Sequence, residues 1–202
     1  IMRDYPIGTF LFWMIDDELF RKYVFNNFIR DYDEQLGKMQ RGKKATASFS
    51  DYVAVLDGQQ RITSLYMGVK GKYRTHIKGK AWDKPESYVD RILCIDVLFV
   101  PQEEDEYKFA FLPESKIGHF EINDEENNEY WVKVSTVFEE SDVANMADII
   151  DNIPDNSTIF PLSLRKEARK TLSTLYKGLK IIQNVNYYSA KNRTLTDVVD
   201  IF

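Results

Sequence analysis

Apolar residues recur along this chain at two spacings, and the switch between them outlines the elements. Pro6 closes a short opening turn, and Ile7-Gly8-Thr9-Phe10-Leu11-Phe12-Trp13 is a run of aromatic and branched residues that predicts a buried strand. Asp16 and Asp17 suit a helix start. Leu19, Phe20, Tyr23, Val24 and Phe28 then follow at helical spacing and predict a helix to about Asp31. Gly37 to Ser50, with Lys38, Arg41, Lys43 and Lys44, reads as a mobile basic loop. Tyr52-Val53-Ala54-Val55-Leu56 is a second strand and Asp57-Gly58 a turn. Ile62, Leu65, Tyr66 and Val69 give the next helix one apolar face until Gly71 stops it.

Further along, Lys72 to Asp90 reads as a loop or short hairpin. Arg91–Val100 and Glu106–Leu112 are expected as strands across an acidic connection (Glu103 to Glu106), with another strand at Tyr130–Val134. Helices are expected at Val137–Ile153, at Pro161–Lys180 with Pro161 in the first turn, and at Leu195–Phe202. A strand at Ile181–Tyr188 separates the last two. Ile1 to Tyr5 resembles the last turn of a helix, so the chain reads as an excerpt of a longer protein. The mixture predicts an α/β (α+β) fold: a core over residues 1–135 and a helical extension of the same domain over 136–202.

Composition narrows the chemistry. Cys94 is the single cysteine of 202 residues, which rules out an internal disulfide and a thiolate-rich metal site. Its neighbours Ile92, Leu93, Ile95, Val97 and Leu98 mark it as an inert core thiol. A reducing cytoplasm fits, and no apolar run reaches the roughly 20 residues of a spanning helix. His76 and His119 stand far apart in unlike contexts, which gives no support to a histidine-based zinc site or a catalytic triad. The net charge of -5 opposes a general DNA-coating role. The aromatic residues, Phe10, Phe12, Trp13, Phe20, Tyr23 and Phe25 among them, sit at strand and helix spacing and read as core.

The pointed feature is the order strand, Asp57-Gly58-Gln59-Gln60-Arg61, helix. A helix N-terminus presents backbone N–H groups to an anion. The dipole is worth about 0.3–1 kcal/mol at an exposed end, against roughly 1.5–3 kcal/mol for a hydrogen bond from a guanidinium. Arg61 therefore dominates. Gly58 allows a tight turn, Asp57 is placed for a divalent cation or an attacking water, and Gln59, Gln60, Thr63 and Ser64 offer neutral donors and acceptors. The ordinary alternative is that Asp57 caps the helix and Arg61 pairs with a nearby acid.

The string Tyr52–Leu65, centred on Asp57-Gly58-Gln59-Gln60-Arg61, resembles the DGQQR signature of the GmrSD-type N-terminal domain of type IV restriction and phage-defence proteins. Tyr5–Trp13 is similar to that family's first strand. The resemblance implies a ParB and sulfiredoxin-like mixed sheet flanked by helices. It also implies that the turn binds and helps hydrolyse a nucleoside triphosphate with Mg2+, and that a separate C-terminal nuclease domain or subunit, absent here, cuts DNA. Carried over, Asp57, Gln60 and Arg61 are the expected catalytic residues, with Asp57 on the metal. Gly58, Gln59, Thr63, Ser64 and Gly8 are the expected nucleotide-binding residues. A rival reading makes the same turn a grip on DNA backbone phosphates, aided by Lys43, Lys44, Arg165, Lys166, Arg169 and Lys170. A third makes the chain a structural module that relays signals between other parts.

Overall fold

A computed structural model of the protein describes residues 2–3, 5–37, 42–46, 51–101, 106–118, 120–122, 128–153, 162–191 and 193–200. They form an α+β fold with two sheets. In the smaller sheet β1 (Thr9–Asp16) lies centrally, antiparallel to β3 (Asp51–Asp57) and parallel to β9 (Asn186–Ala190). The pairs Phe12 with Val55 and Trp13 with Ala190 fix the register. Trp13 and Ile15 point into a cluster with Ala190 and Val198, and Leu19, Phe20, Tyr23 and Phe25 pack against it. This alternation is what the period-2 pattern of the first strand predicts.

The larger sheet runs β2 (Tyr32–Asp33), β4 (Tyr73–His76), β5 (Tyr88–Asp96), β8 (Asn128–Lys133) and β7 (Phe120–Ile122), and β6 (Phe109–Leu112) also pairs with β5. Its core side carries Ile95, Val97, Val132 and Val134. These residues pack with Met146 and Ile150 of α4 (Asn145–Asp151) and with Ala168, Leu172, Leu175 and Tyr176 of α5 (Leu162–Lys180). Residue 135 lies inside α3 (Val134–Glu139), and this cluster draws on residues from both sides of it. Cys94 is buried, and desolvation pushes its thiol up to about 11 while the Lys133 charge works the other way. An unreactive thiol is the consequence.

Several expected boundaries move. The helix after β1 is α1 (Asp17–Lys22) and stops there, not at Asp31. Past Tyr23 the backbone bonds sideways: Asn27 N–H donates to the Lys43 carbonyl, and Ala45 N–H to the Phe25 carbonyl. Phe25 is thereby free to stack on Phe20, and the cross-chain pairing outcompetes a helical turn containing two asparagines. Of the basic loop, residues 42–46 carry this pairing, whereas Lys38, Arg41 and 47–50 lie outside the described residues. The single helix expected at Val137–Ile153 divides into α3 and α4. Asp142 breaks it by accepting Ala144 N–H on its carboxylate and Asn145 N–H on its carbonyl. Lys72–Asp90, read as a loop or short hairpin, holds β4 and the first residues of β5, and β5, the strand expected at Arg91–Val100, begins at Tyr88 and ends at Asp96. The strand expected at Ile181 begins only at Asn186, and α6 (Leu195–Val199) is the described part of the last helix. Pro161, Glu103 to Asp105, His119 and the end of the expected last helix lie outside the described residues.

Candidate functional site

β3 delivers Asp57 to the edge of the smaller sheet, and the chain turns through Gly58 into α2 (Gln59–Val69). Gly58 is the helix's N-cap, with φ 84° and ψ 14° and no side chain to cap the first turn. The N–H groups of that turn therefore remain available, as an anion site requires. A Cβ at Gly58 would sit 2.5 Å from the Phe10 ring, so the turn closes against β1 only because this residue has no side chain.

Arg61 is held on four sides. Its Nη2 meets the Asp57 carboxylate at 3.1 Å, its Nη1 donates to the Ile7 carbonyl at 3.4 Å, and its guanidinium lies 5.0 Å over the Phe10 ring. On the fourth side a Cβ at Gly8 (φ 102°) would fall 2.3 Å from Nη1. Two of the five guanidinium N–H donors are used among the described residues, which leaves three. The Arg61 side chain is 39 % exposed and that of Asp57 52 %. An exposed pair four residues apart is worth only about 0.3–0.5 kcal/mol, well below a charge-assisted bond to a phosphate. The ion pair of the ordinary alternative thus forms, within the motif itself, and orients the guanidinium.

Arg61 stands in the wall of a cleft of about 720 Å³. Gln60, Ser64 and Leu65 line the same wall. Leu93, Phe109, Leu175 and Leu179 make much of the remaining lining apolar, and Arg3, Tyr5, Glu106 and Tyr107 are among the other residues that line it. A family model for the N-terminal domain of GmrSD restriction endonuclease matches residues 1–202. The chain belongs to the GmrSD N-terminal family. No curated protein matches it.

The five consecutive motif residues of this GmrSD N-terminal domain do not face one space. Helical rotation puts Gln60 and Ser64, four apart, on the Arg61 cleft. Gln59 and Thr63, also four apart, line a second cleft of about 660 Å³ on the other flank of β3 and α2, walled by Phe25, Phe28 and Tyr52. Gln59 is turned back there, its Nε2 donating to the Val55 carbonyl at 2.8 Å. Gly8 lies against Arg61. Arg3, Tyr5, Phe10, Glu106 and Tyr107 are companions that pattern reading did not pick out, because they arrive from other parts of the chain. The aromatic at position 10, two residues after a glycine, was the available signal.

The basic residues expected to grip DNA are dispersed. Arg165 is a correction: it lies in the interior, 9 % exposed, with Nη2 3.5 Å from the Ile153 carbonyl. The reason is phase, since residues 165, 168, 172 and 176 fall on one face of α5 and the others of that set form the core. Arg169 pairs with Asp151 of α4 and Lys170 with Glu167, whereas Lys166 is exposed. Lys43 and Lys44 belong to the segment bonded to 25–27. For a metal, Asp57 is the carboxylate at the turn, and among the described residues no group of three His, Cys, Asp or Glu side chains could hold an ion. Among them, too, no helix is long and apolar enough to cross a membrane.

Proposed function

We propose that this domain binds a nucleoside triphosphate in the Arg61 cleft and hydrolyses its phosphoanhydride. What carries the reading is a guanidinium with three donors unused among the described residues, set between Gly8, Phe10 and Asp57 beside an uncapped helix start and lining an open cleft. In this reading Arg61 holds phosphate oxygens and stabilises the charge that develops on them. Gln60 and Ser64 position the nucleotide or the attacking water, and the apolar lining accommodates the base. Gln59 acts at one remove, by tying the helix start to β3. One carboxylate fits a Mg2+ that arrives with the nucleotide and keeps its phosphate and water ligands, and Asp57 is the residue that would hold it. Such an ion supplies charge neutralisation on the phosphates. DNA cleavage would fall to a separate nuclease domain or subunit, consistent with the restriction context of the family.

The test is phosphate release by the intact protein from each of four triphosphates with Mg2+, beside Arg61→Ala and Arg61→Lys. Arg61→Ala is expected to lose roughly 10²–10³-fold in rate, the scale for removing one donor from a developing charge. Arg61→Lys recovers little, because a point charge cannot replace the fork. Absence of phosphate release from any triphosphate, or an unimpaired Arg61→Ala, would overturn the reading.

A further inference from the structure

The β4–β5 connection, residues 77–87, is a built loop. Ile77 N–H donates to the Ser87 carbonyl at 2.7 Å and closes it, Lys80 N–H donates to the Ile77 carbonyl in a turn passing through Gly79, and Arg74 Nη2 holds the Pro85 carbonyl at 2.9 Å. At its tip stands Trp82, 63 % exposed, whereas Trp13 and Trp131 are buried. A loose exposed tryptophan would need no explanation, but this one is fixed. Its ring stacks on His76 with centroids 3.8 Å apart and planes 4° from parallel, and its carbonyl accepts the Tyr88 hydroxyl at 2.8 Å. His76 is fixed in turn: Glu34 accepts its backbone N–H, Tyr88 packs edge-on against its ring, and its buried Nε2 has no hydrogen-bond partner among the described residues. The imidazole thus backs one face of the indole.

With one indole face covered and most of the residue still accessible, the opposite face is open. Around it the sequence Lys78-Gly79-Lys80-Ala81-Trp82-Asp83-Lys84 carries three exposed lysines, none in an ion pair among the described residues, against Asp83 and Glu86. The loop's balance is one positive charge, three lysines against two carboxylates, on a chain of net charge -5. A rigid open aromatic face flanked by cations matches a flat π-system on an anionic backbone. A neutral sugar would use the face but not the lysines.

We propose that this hairpin loop is a stacking site for an unpaired base of a single-stranded nucleic acid, with Trp82 backed by His76 as the platform and Lys78, Lys80 and Lys84 following the phosphates. The site lies on the larger sheet and uses no residue of the Arg61 cleft, so it stands or falls independently of the triphosphate reading.

The test is titration of the whole chain with oligothymidylate and with oligouridylate, followed by tryptophan fluorescence. Because the other two tryptophans are buried, saturable quenching reports Trp82. Labelled-oligonucleotide anisotropy then compares variants. Trp82→Ala is expected to weaken binding roughly tenfold, the effect of one lost base stack, and Trp82→Phe to retain most of it. Replacing Lys78, Lys80 and Lys84 by Gln lowers the salt slope by about 0.7 for each phosphate no longer neutralised. Arg61→Ala leaves binding unchanged, and a duplex of the same length competes poorly. Oligothymidylate binding to a folded Trp82→Ala as to the parent, equal competition by duplex, or quenching by a neutral oligosaccharide alone would each overturn the proposal. If Trp82→Ala loosens the hairpin, the triple lysine variant decides, since it leaves the stack intact, and an unchanged salt slope there refutes the site.

Discussion

Gly8 and Gly58 share a left-handed backbone, yet a side chain at each meets a different obstacle. At Gly8 the obstacle is the tip of Arg61, which can swing away; at Gly58 it is the Phe10 ring, which is buried and cannot. At Gly79 (φ 84°) a Cβ would have nothing within 4 Å, so a substitution there reports the backbone cost alone. Gly79→Ala and Gly8→Ala are expected to lose about 1–2 kcal/mol each in urea unfolding, the cost of the left-handed region. Gly58→Ala should lose about 2–4 kcal/mol through added overpacking. Gly8→Ala, but not Gly79→Ala, is also expected to abolish any rise in melting temperature on adding triphosphate, because it displaces the guanidinium. Arg61 and its two glycines were legible in the string itself. The Ile7 carbonyl and the Phe10 face were not, since they are distant in sequence and meet Arg61 only once β1 and β3 pair.

Period decides most at the level of elements. β1, β3, α2 and α5 all followed from apolar spacing, and α5 shows why: Ala168, Leu172, Leu175 and Tyr176 form one buried stripe. Leu172→Ala is expected to cost about 2–5 kcal/mol in urea unfolding, whereas Lys166→Ala on the outer face should stay within about 0.5 kcal/mol. The same periodicity misled where side chains or cross-chain bonds compete with the helix, as at Asp142 and at Phe25 to Asn27. It also separates Gln59 from Gln60, neighbours in the string that face different clefts. A motif read as consecutive letters becomes two sets of residues once wound on a helix.

Across the whole molecule, an ion cluster ties β5, β6 and β8 together. Lys108, just before β6, bonds Glu129 of β8 and lies 3.6 Å from Asp96 of β5. Asp96 also accepts the Leu98 and Tyr130 N–H groups at 3.1 Å each, and Trp131 Nε1 donates to Glu129 at 3.0 Å. The hydrogen bond from Lys108 holds the Glu129 carboxyl below its usual range, so that contribution is present above the unfolded value and lost as pH falls through the folded one. Asp96 runs the other way: burial raises it despite its partners, so its ionisation costs stability that is recovered as pH falls. Burial works to lower Lys108, but Glu129 and Asp96 outweigh it and raise the ammonium, whose contribution is complete below the unfolded value and fades as pH rises through the folded one. Lys108→Met is therefore expected to destabilise by about 1–3 kcal/mol at neutral pH, where it leaves a buried carboxylate without its cation. The penalty should shrink at acid pH, as Asp96, raised by burial, takes up a proton. Urea unfolding of parent and variant at the two pH values measures it.

β9 reaches β1 from far along the chain. A ribbon of β1 and β3 alone is marginal in water, so the sheet that carries the Asp57 turn waits for its third strand. The elements of the larger sheet all precede β9 in the chain, so during synthesis the smaller sheet is expected to be completed after them. A chain cut before Asn186 is therefore expected to lack the strand that completes the sheet behind the Asp57 turn.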